Sequence, residues 1–229
     1  MGHHGLMSEG RLLGRAGQTG RAGQTGRAGQ TGRAGQTAPP PQQPAGIVLT
    51  PGAGSGSDHP NLLAVEFALA KHGVASLRID FPYRLAGRRA PDRPAVLLDT
   101  VRNAARGFAD ELGVAPELVA VGGRSMGGRI CSMAVADGMP AAALVLISYP
   151  LHPPGRPDRL RTEHFPAIRV PCLFVSGDRD AFGSKSELEA EAAAIAGPVT
   201  HAWMAGGDHS LKRRDSEVAE TVESWLCET

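Results

Sequence analysis

From Gly46 onward the chain alternates short apolar runs with longer segments whose apolar residues recur at helical spacing, and this alternation leaves few folds open. The short runs are Ile47–Thr50, Val74–Asp80, the one that opens Val119–Ile130, Ala143–Ile147, Cys172–Val175 and Val199–Met204. They are too short for helices and rich in Val, Ile and Leu, so each reads as a buried strand. Pro60–His72 carries Leu62, Val65 and Leu69 on one helical face, with Gly73 as its stop. Leu98, Val101, Ala105, Phe108 and Leu112 mark a second helix ending at Gly113, and a third runs from the glycines near 127 to Gly138. Leu188, Ala192 and Ile195 mark a fourth, and Val218, Val222, Trp225 and Leu226 a closing one. Strands separated by helices form βαβ units, hence a mostly parallel sheet with helices on both faces. Right-handed crossovers make that a doubly wound, three-layer α/β/α sandwich of about six strands. The roughly 180 residues available suffice for one core.

Residues 1–45 follow other rules. The hexamer Arg-Ala-Gly-Gln-Thr-Gly starts at Arg15, Arg21 and Arg27, a last copy begins at Arg33, and Pro39–Pro44 is proline- and glutamine-rich. A repeat with alanine as its only core-forming side chain cannot offset the entropy of ordering, so a disordered low-complexity tail is expected, with the domain at 46–229. A translated repeat and a misplaced start codon are the two origins such a tract allows.

Net charge and cysteine usage narrow the function classes. A formal net charge of +1 gives no nucleic-acid footprint. The three cysteines, Cys131, Cys172 and Cys227, have no metal-ligand spacing and read as reduced thiols. No apolar run reaches the length of a membrane span, and the N-terminus lacks a signal-peptide core. The expectation is a cytoplasmic protein, monomer or homodimer, with no membrane or nucleic-acid partner and neither cofactor nor metal. Gly52-x-Gly54-x-Gly56 after the first strand imitates a dinucleotide fingerprint, but its third glycine would fall at Ser57, which breaks the pattern.

The chemistry centres on Val119–Ile130, a strand, a sharp turn with Ser125 at its apex, and the start of a helix. Gly123-x-Ser125-x-Gly127 has the spacing of a nucleophile elbow, where flanking side chains would collide. A serine hydroxyl is a weak nucleophile unless an imidazole takes its proton, and the imidazole needs a carboxylate on its other nitrogen. His209, in the loop after the last strand, is the candidate base. Asp180, in the loop after the fifth strand, is the chosen acid, with Asp178 as its competitor; Asp208 is assigned to bracing the histidine loop. The oxyanion needs two backbone N–H groups, expected from Met126 and from Ala53 in the glycine-rich loop after the first strand. Gly54 belongs to the same loop. The aperiodic segment Ser148–Ala167 is expected to roof the pocket, with Tyr149, His152 and Phe165 contacting substrate. Arg84, Arg88, Arg89, Arg156, Arg159 and Arg161 read as solvated loop charges, with an acidic substrate as the alternative. Arg124 reads as a structural partner for Asp80 or another buried carboxylate.

The stretches Leu49–Gly54, Arg78–Arg84, Gly122–Arg129, Ser148–Gly155 and Leu160–His164 together resemble the α/β-hydrolase superfamily. Within it they are similar to a group of small serine hydrolases related to dienelactone hydrolases. That group also resembles a testis-expressed eukaryotic protein and a subunit of a histone-acetylating complex. The resemblance implies a compact hydrolase without a large cap domain, and a Ser…Asp…His order of triad residues. The expected function is cleavage of a small carboxylic ester or thioester through an acyl-serine intermediate. The alternative, since some relatives act as subunits, is a non-catalytic interaction module on the same scaffold. Dienelactone hydrolase itself uses a cysteine nucleophile where this chain has Ser125, so substrate identity does not carry over.

Overall fold

The computed structural model describes residues 43–227; the tail expected over residues 1–45 lies outside them except for its last three positions. The strands are β1 (Gly46–Thr50), β2 (Ala75–Arg78), β3 (Val119–Arg124), β4 (Leu144–Ile147), β5 (Cys172–Gly177) and β6 (Val199–Met204). The helices are α1 (Pro60–Ala70), α2 (Pro82–Leu85), α3 (Pro94–Leu112), α4 (Met126–Ala136), α5 (Lys185–Ala192) and α6 (Asp215–Cys227). All six strands run parallel in the order β2-β1-β3-β4-β5-β6. The chain starts at β1, steps outward to β2, then returns past β1 to β3 and continues to β6. That reversal leaves a crevice beyond the carboxyl ends of β1 and β3, where ligands of such sheets bind.

Side-chain alternation builds one core layer on each face. Ile47 and Leu49 of β1, Val145 and Ile147 of β4, and Leu173 and Val175 of β5 pack with α1 and α6. Val48, Val121, Leu144, Leu146 and Phe174 face the other way, into α3, α4 and α5. The central strands are thus buried on both sides, which is why they read as continuous apolar runs. On α3 the buried stripe is Leu97, Val101, Ala105, Phe108 and Ala109; Leu98 and Leu112, expected in it, flank it partly buried. A helix stripe is wide enough that one-residue phase errors of this kind follow from adjacent leucines.

The connection between β4 and β5 contains only a short 3₁₀ turn, Phe165–Ala167, so no cap domain is inserted there. Among the described residues no helix is long and apolar enough to cross a membrane. Cys131 and Cys172 are buried, and burial pushes both thiols up to about 12.

Candidate active site

Ser125 follows β3 and caps α4 with φ 51° and ψ −117°, a conformation that side-chain-bearing residues rarely adopt. The surroundings enforce it. A Cβ on Gly123 would overlap Thr50, and one on Gly127 would sit 2.5 Å from the Pro51 carbonyl oxygen. The Ser125 N–H is held by the Ile147 carbonyl at 2.8 Å, and Thr50 Oγ1 donates to the Gly122 carbonyl at 2.9 Å. The strain is carried by packing between β1 and the elbow, and it aims the serine side chain into the crevice.

The loops after β5 and β6 converge on that side chain. Ser125 Oγ lies 2.8 Å from His209 Nε2, and His209 Nδ1 lies 2.8 Å from Asp180 Oδ2. The carboxylate can only accept, so Nδ1 carries a proton and Nε2 is left to accept from the serine. Asp180, with a side chain 2% exposed, also accepts from the Phe182 N–H at 2.8 Å. Asp178 is spent elsewhere: its Oδ1 accepts from the Gly206 N–H at 2.7 Å, tying the two loops together. Asp208 accepts from the Ser210 N–H and hydroxyl at 2.9 and 2.6 Å and so shapes its own turn. These bonds hold its carboxyl below the usual range. The Phe182 ring stacks on the His209 ring, with centroids 3.9 Å apart.

Ser125 and His209 open into a pocket of about 440 Å³ that Ala53, Gly54 and Met126 also line. That volume suits a small molecule. Met126 begins α4, so its N–H lies in the first turn, where no intrahelical acceptor exists. Ala53 is held from behind by the buried Tyr83, whose hydroxyl donates to the Ala53 carbonyl at 2.9 Å. Asp80 fixes the other end of this loop, accepting from the Ser57 N–H and hydroxyl at 2.8 and 2.7 Å. Among the described residues, no cluster of three or more His, Cys, Asp or Glu side chains is arranged to hold a metal ion.

Residues 43–227 match the family described as alpha/beta hydrolase domain. The chain belongs to the α/β-hydrolase family. Solved structures carry the same fold. An alpha-beta serine hydrolase homologue from Coxiella burnetii superposes with a TM-score of 0.64 at 18% identity, covering 80% of this chain and 87% of that one. Est1E from Butyrivibrio proteoclasticus gives 0.64 at 18% identity over 82% and 89% of the two chains. A dienelactone hydrolase from Anabaena variabilis gives 0.63 at 22% identity over 81% and 87%.

The α/β-hydrolase scaffold departs from the sequence expectations in its roof and its arginines. Tyr149, His152 and Phe165 do not reach the pocket; they are 2%, 5% and 0% exposed and lie beneath it. Tyr149, Phe165 and Phe174 form a mutual aromatic cluster with centroids 5.3 to 6.1 Å apart, because large rings gain most when buried. The Tyr149 hydroxyl donates to the Arg161 carbonyl at 2.6 Å. His152 donates its backbone N–H to the Phe182 carbonyl at 2.9 Å, joining the roof to the acid loop. The pocket wall is made instead by Pro150, Arg161, Phe182, Arg124 and Arg129. Arg124 does not pair with Asp80; its Nη2 donates to the His209 carbonyl at 2.9 Å and steadies the histidine loop. Of the missed residues, Arg129 had a signal in the sequence: it stands one helical turn after Ser125, on the same face.

Proposed function

We propose that this protein is a serine hydrolase that cleaves a small carboxylic ester or thioester. The observation that carries this reading is the unbroken chain Ser125–His209–Asp180, with both links at 2.8 Å, opening into a pocket that Ala53 and Met126 also line. Ser125 Oγ attacks the carbonyl carbon while His209 Nε2 takes the hydroxyl proton, and Asp180 holds the imidazolium that forms. The negative charge gathers on the carbonyl oxygen, facing the N–H groups of Met126 and Ala53. Collapse of the tetrahedral adduct breaks the bond to the alcohol or thiol, which leaves with the proton from His209. A water molecule then repeats the sequence on the acyl-serine, releasing the acid and regenerating Ser125.

A fluorophosphonate probe tests the assignment. Wild type is expected to label on Ser125, and Ser125→Ala and His209→Ala are expected to lose labelling. Turnover of short-chain 4-nitrophenyl esters in either variant should drop by roughly 10³- to 10⁶-fold, because the members act as a unit. A wild type that neither labels nor turns over ester, while retaining a stable protein partner in a pull-down, would favour the interaction-module alternative.

A further inference from the structure

Three guanidinium groups line a pocket of about 440 Å³, and none of the ion pairs among the described residues includes them. They are not equivalent. Arg124 is offset by Asp180 and Asp208, whose fields oppose the effect of its burial, and it is bonded to the His209 carbonyl. Arg161 has no carboxylate field to oppose its burial. Arg129 Nε is buried without a hydrogen-bond partner. Arg161 spends one donor on the Pro150 carbonyl at 3.3 Å, and burial first, then the like charge of Arg129, holds its pKa below the usual value. Of the nearby carboxylates, Asp180 is committed to His209, Asp208 to Ser210 and Glu191 to the Thr162 hydroxyl, while Glu163, close enough to act on Tyr149, forms no ion pair with either arginine among the described residues. Two partly buried neighbouring cations with no counter-charge among the described residues cost free energy in the pocket, and a ligand anion lowers that cost.

The geometry points to a substrate that carries an anionic oxygen group, a carboxylate or phosphate, seated between Arg129 and Arg161 while its ester lies at Ser125. Arg129 stands one turn along α4 from the nucleophile, and Arg161 comes from the roof, so the two line the pocket together with Ser125. Guanidinium forks bind such groups with two parallel bonds each and discriminate against neutral analogues. This inference rests on the hydrolase reading for the position of the ester, but its binding arm does not require turnover.

The binding arm uses Ser125→Ala protein titrated calorimetrically with monomethyl glutarate and with dimethyl glutarate, a pair matched in size and differing in charge. The anion is expected to bind more tightly by roughly 10- to 100-fold, the range for charged hydrogen bonds. Arg129→Met and Arg161→Met, which keep the aliphatic stem, should each bring the ratio towards one, and Arg161→Lys should keep part of it. Inorganic phosphate competing as strongly as monomethyl glutarate assigns the charged end to a phosphate; competition by the carboxylate alone assigns it to a carboxylate. The turnover arm compares mono-4-nitrophenyl glutarate with 4-nitrophenyl butyrate on wild type, expecting the same preference in kcat/KM and its decline with added salt. Equal binding of the two glutarate esters, or a preference unchanged in both arginine variants, overturns the inference. Fluorophosphonate labelling of Ser125 separates the two readings: labelled protein without charge preference fails only here, and unlabelled protein with charge preference fails only as a hydrolase.

Discussion

The elbow and the roof meet at the same pocket but are held in place by different physics. At the elbow, backbone meets backbone: Gly123 and Gly127 lie so close to Thr50 and Pro51 that no side chain fits, and Ser125 is forced to φ 51°. The roof also opens on a left-handed residue, Ser148 at φ 50°, but side chains hold the rest of it in place. Tyr149 and Phe165 anchor it by sinking rings into the cluster around Phe174, which leaves Pro150 and Arg161 on the pocket side. One region is positioned by exclusion and the other by burial. Exclusion tolerates no substitution, whereas burial tolerates shape changes at a graded cost.

The sharpest test of the contrast concerns the two carboxylates of the loop after β5. Asp180→Asn should lower kcat by up to roughly 10⁴-fold by presenting His209 with the wrong partner, while Asp178→Ala, which loses only the bond from the Gly206 N–H, should stay within about tenfold; equal losses would mean that loop order rather than proton chemistry matters. Next, Gly123→Ala or Gly127→Ala should destabilise the fold by about 3 kcal/mol or more, because the clash is with main chain that cannot move. Urea melts that show less than about 1 kcal/mol would dissolve the exclusion argument. In the roof, Phe165→Ala should cost about 3–5 kcal/mol, as for other buried aromatics, with KM for a small ester changed far less than by Arg161→Met. A larger KM effect from Phe165 would return that ring to the pocket wall.

A pH effect comes next in size. His164 accompanies the roof, donates to Ser132 Oγ over 2.8 Å, and is lowered from 6.5 to about 4 by burial and then by Arg129. The unfolded chain therefore binds a proton that the folded one refuses between those values. Stability should be intact above about 6.5 and fall as the pH drops towards 4, by at most about 1.4 kcal/mol per pH unit from this group. His164→Gln should flatten that part of the profile in denaturant titrations; an unchanged slope would show that another group dominates. The smallest effect is Tyr149→Phe, which removes the hydroxyl bond to the Arg161 carbonyl and should cost about 1 kcal/mol.

Much of this was legible from the chain alone. Six short apolar runs specified a parallel sheet because buried strands and amphipathic helices leave different periodicities. Gly123 and Gly127 named Ser125 because the turn's steric demands fall on its immediate neighbours. Asp180 and His209 could be nominated from their loops, since a doubly wound sheet places every strand's carboxyl end at the same edge. What only the tertiary structure decided is which side chains face the pocket. Pro150 and Arg161 from the roof, and Phe182 from the loop after β5, lie far from Ser125 in sequence, and an aperiodic loop has no pattern that says which side is down. Tyr149 and Phe165 went under because burying rings outweighs exposing them, and Arg129 and Arg161 were left facing the pocket without a carboxylate partner.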